Sequence, residues 1–365
     1  MIYLDSAATS FIKPISVSQA MLNAMRTMSS PGRGAYAQAM HAAEMIYDCR
    51  CKVAKFFNVD EPENVVFTSS ASHSLNIAIN STVKPGQKVL VSGFEHNSVT
   101  RPLTAKGAEI IVAGTKLFDD EVVLNDFEKK IKQADIVVCT HVSNVFGYVL
   151  PIYKIAELCR KHGKILIVDA SQSAGIIHLD CKKLDAAFVA MPGHKALFGP
   201  QGTGILICNH RCTPLIHGGS GSDSKLQSMP GYLPDRLEAG THNVPGIAGL
   251  RAGIEFLEQK GVENVYKHEI SLLNLMLEEL TMSDFELFHG SPQLGVISVR
   301  HPQIDSEDLA AALAENNICI RAGMHCAPLA HKSAGTIDTG TARFSFSPFN
   351  SEEEIIKTCR FLKSF

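Results

Sequence analysis

The stretch that decides the fold is residues 189–204, which read VAMPGHKALFGPQGTG and place Lys195 between a Pro-Gly-His tripeptide and a glycine-rich turn. Apolar runs at residues 186–191 and 205–208 flank it, so we expect Lys195 on a tight loop between two buried strands, where solvated lysines are uncommon. A lysine whose ammonium group is partly desolvated can lose its proton and attack a carbonyl carbon. From this loop alone, a surface lysine on a glycine-rich turn is the alternative, because isolated glycine-rich loops are weak signals.

A second stretch, residues 164–172, reads KILIVDASQ and ends an apolar run at Asp169. This pattern is typical of a buried parallel strand that places a carboxylate at the carboxyl edge of the sheet. Doubly wound sheets bind their ligands at that edge. A carboxylate can pair with a protonated pyridine nitrogen, and a nearby lysine can bond to an aldehyde. Asp169 and Lys195 therefore form the pair that a pyridoxal 5′-phosphate (PLP) enzyme needs.

Together these stretches resemble the class V aminotransferase family of PLP-dependent, fold-type I enzymes, in its cysteine desulfurase, selenocysteine lyase and cysteine-desulfurase-like branch. The resemblance implies an α/β fold with a large mixed, mostly parallel sheet, helices on both of its faces, and a smaller α+β C-terminal domain. We predict a large cofactor-binding domain at residues 12–246 and a small domain formed by residues 1–11 and 247–365. In the small domain we expect a helix at residues 306–315 with Ser306 as its N-cap.

Composition favours an ordinary soluble protein. The 365 residues are 45% hydrophobic and 19% charged, with a net charge of −3, so nothing indicates binding to nucleic acid or an anionic membrane. No apolar run is long enough to span a bilayer, and the N-terminus has no signal-like core, so we expect a cytoplasmic protein. The ten cysteines are scattered, mostly in apolar runs, which favours reduced thiols. Neither Cys49-x-Cys51 nor Cys208 with Cys212 has a matching second half, so we predict no structural metal.

A polar turn at residues 69–74 follows an apolar strand at residues 65–68 and precedes a helix. Backbone N–H groups and hydroxyls at such a helix N-terminus can bind an anion. The resemblance assigns the cofactor phosphate to Ala71 and Ser72. A plain N-cap at Ser72 or Ser74, without a ligand, is the alternative.

The resemblance also implies the remaining cofactor contacts. His96, in a Glu-His pair after a strand, stacks on the pyridine ring and can move protons. Thr241 reaches the phosphate of the neighbouring subunit, which implies a homodimer with shared active sites. Pro192 stands where many desulfurases carry a phosphate-binding serine. The full set of implied cofactor contacts is Lys195, Asp169, Gln172, His96, Ala71, Ser72, Asn144, His194 and Thr241.

An arginine between apolar residues near the C-terminus, Arg343, is expected to be buried or to face a site. A guanidinium group binds a carboxylate through two parallel hydrogen bonds, and in the family this arginine holds the α-carboxylate of a small amino-acid substrate. Arg33 on a turn and Arg321 are further candidates for that carboxylate. The implied substrate contacts are Arg343, Asn144, Arg33 and Arg321.

The segment at residues 321–328 reads RAGMHCAP and resembles the desulfurase motif that carries a catalytic cysteine. Cys326 lies outside the apolar run, between His325 and a proline, so we expect it to be exposed. An exposed cysteine near positive groups can be a nucleophilic thiolate, whereas most single cysteines are inert packing. The implied catalytic residues are Lys195, Cys326 and His96.

We therefore predict a PLP-dependent cysteine desulfurase that converts L-cysteine to L-alanine and leaves the sulfur on Cys326 as a persulfide, for a sulfur-acceptor protein. The alternatives are selenocysteine lyase, another PLP-dependent β-lyase or aminotransferase, and a cofactor-binding partner without turnover. A nicotinamide dehydrogenase is disfavoured, because no Gly-x-Gly-x-x-Gly follows the first strands.

Overall fold

The computed structural model describes residues 1–32 and 34–365 of the chain. In chain order its strands are β1 (Ile2–Tyr3), β2 (Val65–Thr68), β3 (Lys88–Ser92), β4 (Glu109–Ala113), β5 (Ile136–Thr140), β6 (Ile165–Asp169), β7 (Phe188–Pro192), β8 (Gly204–Cys208), β9 (Glu286–Phe288), β10 (Val296–Arg300), β11 (Ile318–Cys319), β12 (Arg321–Gly323) and β13 (Thr341–Ser345). Its α-helices are α1 (Ile15–Thr27), α2 (Ala37–Phe56), α3 (Ala71–Thr82), α4 (Asn97–Ala105), α5 (Asp120–Lys130), α6 (Ile152–Lys161), α7 (Cys181–Leu184), α8 (Val244–Lys260), α9 (Val262–Leu280), α10 (Ser306–Glu315), α11 (Pro328–Ala334) and α12 (Glu352–Leu362).

The large sheet has the strand order β2-β8-β7-β6-β5-β3-β4. Strand β8 is antiparallel to both of its neighbours, and every other adjacent pair is parallel, which confirms the predicted mixed, mostly parallel sheet. Because β2 and β7 both oppose β8, β2 runs in the same direction as β7. The carboxyl ends of β2, β3, β5, β6 and β7 therefore lie at one edge, where such sheets bind ligands.

Side chains of the large sheet alternate between two hydrophobic clusters, as the two-residue period of a strand requires. In β7, Val189 and Met191 belong to one cluster, and Phe188 and Ala190 to the other. Helices α2, α5, α6 and α8 contribute to the first cluster, while α3 and α4 contribute to the second. Helices thus cover both faces, as predicted, and the strands read as apolar runs because both of their faces are buried.

A smaller antiparallel sheet has the order β12-β13-β10-β9. It packs in a third hydrophobic cluster with side chains of α9, α10 and α12, which gives the predicted α+β part of the fold. Strand β1 pairs in parallel with β11, so the first residues of the chain join elements near its end. The predicted domain limits, residues 12–246 against 1–11 and 247–365, stay a prediction.

The predicted N-cap of α10 was wrong, and neither of the alternative caps considered for α3 is used. Helix α10 is capped by Asp305, whose carboxylate accepts a hydrogen bond from the backbone N–H of Glu307 at 2.7 Å, and Ser306 is the first helical residue. Helix α3 is capped by Ser70, whose hydroxyl accepts from the N–H of His73 at 3.2 Å. In both places the residue with extended backbone angles takes the cap position, and the sequence offers neighbouring residues that are equally good caps. Among the described residues, no helix is long and apolar enough to cross a bilayer.

Candidate active site

A cavity of about 480 Å³ lies at the carboxyl edge of the large sheet. It brings together most of the residues that the sequence singled out. The predicted residues that line it are Ala71, Ser72, His96, Asn144, Asp169, Gln172, His194, Lys195, Arg321, Cys326 and Arg343. Thr241 is exposed and does not line this cavity, and Arg33 lies outside the described residues. The cavity is the candidate active site.

Lys195 lies on the loop between the antiparallel partners β7 and β8. The loop is tightly closed: Gly193 N–H donates to the Thr203 carbonyl at 2.9 Å, and the Gly193 carbonyl accepts from Gly199 N–H at 2.8 Å. A Cβ at Gly193 would collide with the Thr203 hydroxyl, so glycine is required there. Burial lowers the pKa of the Lys195 ammonium to about 8, while Asp169 acts in the opposite direction. Lys195 therefore holds a partly neutral amine near physiological pH.

Asp169 ends β6 at the carboxyl edge of the sheet and is 3% exposed. One of its carboxylate oxygens accepts a hydrogen bond from the N–H of Ser171 at 2.9 Å. Within the described residues no hydrogen bond uses the second oxygen, so this oxygen can pair with a cationic N–H of a ligand. Gln172, three residues further on, is also buried and donates its side-chain amide to the Ala7 carbonyl at 3.0 Å.

His96 caps helix α4, and its Nδ1 accepts a hydrogen bond from the N–H of Ser98 at 3.0 Å. Burial lowers the pKa of His96, which favours a neutral ring. Since Nδ1 accepts, the proton of that neutral ring lies on Nε2, so His96 is a hydrogen-bond donor through Nε2. The Ser98 hydroxyl also lies 2.9 Å from Nδ1 and 2.7 Å from the Ser72 hydroxyl. The imidazole is thus linked to the turn at the start of α3.

The turn before α3 forms one end of the cavity. Residues 69–72 line the cavity and lead into the first turn of α3. The unpaired N–H groups of a helix N-terminus, together with serine hydroxyls, suit a phosphate group. His194, on the Lys195 loop, is neutral there, because burial lowers its pKa to about 4. The site thus combines an anion-binding end with a reactive amine and a carboxylate.

Arg343 lies in the middle of β13, 2% exposed, and donates to the Asn144 carbonyl at 2.8 Å. Its Nε is buried without a hydrogen-bond partner. Arg321 on β12 is its direct cross-strand neighbour. Both guanidinium groups bond to the carboxylate of Asp5, Arg343 at 2.8 Å and Arg321 at 2.9 Å. The predicted pair of substrate arginines is therefore joined by an acid that the sequence did not indicate.

Cys326 is the exposed one among the cysteines that the structure describes, as predicted. Its backbone and that of His325 are left-handed, with φ of 55° and 47°, a conformation that costs about 1–2 kcal/mol for a residue with a Cβ. Two hydrogen bonds hold this turn: Asn97 N–H to the Cys326 carbonyl at 2.7 Å, and the Asn144 side-chain amide to the His325 carbonyl at 2.8 Å. The thiol is accessible, while its backbone is fixed beside the His96 helix.

Sequence reasoning missed three residues: Ser98, which lines the cavity, and Asp5 and Glu95, which lie behind its wall. Glu95 is fully buried, and one of its oxygens accepts from the Ser92 hydroxyl at 2.5 Å and the Thr140 N–H at 2.8 Å. Burial raises the pKa of Glu95 to about 8. The signal in the sequence was its position directly before His96. A carboxylate that follows a buried strand and precedes a site residue is expected to be buried, and buried carboxylates are rare.

The comparisons with known proteins agree with this geometry. The family model described as Aminotransferase class-V matches residues 2–357.

The chain belongs to the class-V aminotransferase family.

A probable cysteine desulfurase of Pyrococcus abyssi is 34% identical to this chain, and the match covers 97% of the chain and 92% of that relative. A probable cysteine desulfurase of Methanothermobacter thermautotrophicus is 33% identical, with the same coverage. Among solved structures, the apo cysteine desulfurase of Thermococcus onnurineus superimposes with a TM-score of 0.90 at 31% identity, covering 100% of this chain and 94% of that one. This class-V aminotransferase is therefore an enzyme with the fold type I architecture of its structural neighbours.

Proposed function

We propose that this class-V aminotransferase binds PLP in the cavity at the carboxyl edge of its large sheet. The residues present fit the cofactor. Lys195 supplies a partly neutral amine for the aldehyde, Asp169 has an uncommitted oxygen for the ring nitrogen, and the turn at residues 69–72 suits the phosphate. The His96 ring would cover the pyridine, and Gln172 and Asn144 would contact the phenolic oxygen of the cofactor. When bound, the cofactor supplies an electron-accepting ring that weakens the bonds at the α-carbon of an amino acid.

The enzyme is proposed to be a cysteine desulfurase. The observation that carries this proposal is the exposed thiol of Cys326, which lines the same cavity as Lys195 and Arg343. An aminotransferase needs the lysine and the arginine but no accessible thiol there. The relatives named cysteine desulfurase over nearly the whole chain support the same conclusion.

The roles of the chain's own residues follow from their positions. Arg343 binds the α-carboxylate of L-cysteine with the donors that Asn144 and Asp5 leave free. Lys195, as a neutral amine, accepts a proton from the bound amino acid and later returns one. His96 donates through Nε2. The buried wall formed by β13 excludes water from the carboxylate end, which strengthens the charge interactions there.

The Cys326 thiolate then attacks the sulfur of the substrate. A sulfur–sulfur bond forms on Cys326 while the substrate carbon–sulfur bond breaks, and the carbon accepts a proton. L-cysteine and the Cys326 thiol thus give L-alanine and a Cys326 persulfide, with all atoms accounted for. Cys326 is exposed, so a sulfur-acceptor protein can reach the persulfide.

The test is Cys326→Ser in the cofactor-loaded protein, with Cys51→Ser as the control because Cys51 is half-buried on α2. We expect Cys326→Ser to keep the cofactor absorbance and its change on adding L-cysteine, but to lose alanine and sulfide release by at least about 100-fold. Cys51→Ser should match wild type. Mass spectrometry after L-cysteine should find the additional sulfur on Cys326. Full release by Cys326→Ser would favour a general β-lyase or aminotransferase.

We also propose a homodimer whose active sites are shared. Thr241 is exposed, and its segment is fixed by the neighbouring Glu238, which bonds to Arg50 at 2.8 Å and to His242 at 2.7 Å. A rigid, exposed threonine after a glycine can reach a phosphate bound by the other subunit. The test mixes Lys195→Ala with Thr241→Ala protein, because a mixed dimer then keeps one intact site. Recovered cofactor binding by the mixture supports sharing, and no recovery in a verified mixed dimer contradicts it.

A further inference from the structure

Two arginines of the cavity wall lie directly opposite each other. Arg321 on β12 and Arg343 on β13 are cross-strand partners in the antiparallel pair. Like charges at such positions repel. The carboxylate of Asp5 lies between them: its Oδ2 accepts from Arg321 Nε at 3.0 Å and Nη2 at 2.9 Å, and its Oδ1 accepts from Arg343 Nη2 at 2.8 Å.

Asp5 is held in place by its backbone. The segment that carries it runs beside the end of β13, where the N–H of Ser345 donates to the Leu4 carbonyl at 2.8 Å, and Ala7 N–H donates to the Ser345 hydroxyl at 2.9 Å. Asp5 itself forms a parallel bridge with Ser345. This residue is 7% exposed and does not line the cavity. The acid therefore acts on bound molecules through the arginines in front of it.

The two arginines differ in what Asp5 does to them. Arg343 is buried and keeps an unpaired Nε. The Arg321 side chain is 54% exposed, and both of its bonded nitrogens go to Asp5. Arg321 also lies within electrostatic range of Cys326. Asp5 thus occupies two donors of Arg321 and compensates its charge on the cavity wall near Cys326.

The charge on this wall is correspondingly small. Two guanidinium groups and one carboxylate leave a single net positive charge. Tyr3, whose hydroxyl donates to the Asp5 backbone carbonyl at 3.2 Å, stays neutral because burial and Asp5 raise its pKa to about 12. His325 is also neutral, since burial lowers its pKa to about 2. One positive charge suits one negative charge, that of the α-carboxylate.

We propose that Asp5 is a positioning residue that sets substrate charge specificity. By pairing with both Arg321 and Arg343, it leaves the wall with one net positive charge and disfavours amino acids that carry a second negative group on the side chain. The favoured class is an amino acid whose side chain is uncharged, such as a thiol. This inference rests on the proposed function for its substrate, but the charge argument concerns the cavity itself. Because Asp5 already compensates the charge of Arg321, a second negative group on the substrate meets no uncompensated positive charge, and this selects against such substrates.

The test uses cofactor-loaded wild type, Asp5→Asn and the double variant Asp5→Asn with Arg321→Gln. The measured quantity is the ratio of kcat/KM for L-cysteine sulfinate, which with water gives alanine and sulfite, to kcat/KM for L-cysteine. We expect Asp5→Asn to raise this ratio about tenfold, because the released Arg321 can bind the sulfinate. The double variant should return the ratio to within about threefold of wild type. Asp5→Glu, which keeps the charge, should stay near the wild-type ratio.

A purely structural role for Asp5 predicts something else. Asp5→Asn would then lower both kcat/KM values by the same factor and leave their ratio unchanged, and this outcome overturns the proposal. If wild type turns over neither amino acid, the proposed function fails. The effect of Asp5 on charge specificity is then tested by measuring amino-acid binding. In that case titration calorimetry with L-alanine and L-aspartate should show the affinity ratio shifting toward L-aspartate about tenfold in Asp5→Asn. An unshifted ratio overturns the inference independently.

Discussion

The pKa of Lys195 offers the sharpest test of the site, because the two charged groups that affect it most, Asp169 and Arg343, act in opposite directions. Burial lowers this pKa to about 8, Asp169 raises it, and Arg343 lowers it. We expect Asp169→Asn to move the titration of Lys195 to lower pH and Arg343→Gln to move it to higher pH. Asp169→Asn removes a charge at constant shape, and Arg343→Gln removes the opposite charge with a shorter side chain. General loosening would move the titration in the same direction in both variants, so opposite signs identify charge effects.

The size of the effect follows from the fraction of neutral amine. At pH 7, a pKa of about 8 leaves about 9% of Lys195 neutral, whereas the ordinary value of 10.5 would leave about 0.03%. Reductive methylation with formaldehyde consumes only the neutral amine, so Lys195 in the apo protein should react about 300-fold faster at pH 7 than an unperturbed lysine of equal access.

The assay measures methylation of the Lys195 peptide by mass spectrometry between pH 6 and 11, in wild type and in both variants. Lys357, an exposed lysine of α12, provides an internal reference in every sample. We expect a wild-type midpoint near pH 8. Shifts of the same sign in both variants, or a midpoint near that of Lys357, would refute the reasoning, since either result means that burial and these two charges do not control the amine.

Four further predictions concern other parts of the site. Arg343→Lys loses the planar fork, so KM for L-cysteine should rise about tenfold with kcat less affected; an unchanged KM would assign the carboxylate elsewhere. Asp169→Asn should lower kcat at least about tenfold, ~1.4 kcal/mol of barrier, and wild-type turnover would reject its role. Burial raises the pKa of Glu95 from 4.5 to about 8, so the folded protein loses stability as pH rises through this range. Glu95→Gln should therefore flatten the plot of unfolding temperature against pH between these values. Parallel plots for wild type and Glu95→Gln would contradict the prediction. Gly147 has φ of 68°, and a Cβ there would lie 2.6 Å from the Val296 carbonyl oxygen. Gly147→Ala should therefore lower the free energy of unfolding by about 1–3 kcal/mol. An unchanged free energy of unfolding in a denaturant titration would contradict this.

The strands and the site residues that follow them were predictable because both depend on short-range patterns. In a mostly parallel sheet, buried strands read as apolar runs and end where a polar residue meets the edge. The runs at residues 65–68 and 136–140 match β2 and β5. Asp169 and Lys195 could be placed at one edge from the amino-acid sequence alone, since each follows such a run. Exposure of Cys326 followed from its position between a histidine and a proline.

The contacts behind the cavity wall were not predictable in the same way. Asp5 and Arg343 are separated by 338 positions, and their bond depends on how the first residues align with β13. No local pattern encodes that alignment. The burial of Glu95 depends likewise on its hydrogen bond from the Thr140 backbone of a neighbouring strand. The cap of α10 was misplaced by one residue because Asp305 and Ser306 are both good caps and only backbone angles decide between them.

The pairing of β1 with β11 constrains the order in which parts of the structure can form during synthesis. Residues 2–6 are synthesised well before residues 317–345, to which they bond. At roughly 5–20 residues per second, the start of the chain waits roughly 20–70 s for these partners. The turn at residues 69–72 and Lys195 are made long before β12 and β13, so the opposite ends of the cavity are completed at different times. Asp5 can join Arg321 and Arg343 only after residues 317–345 have been made.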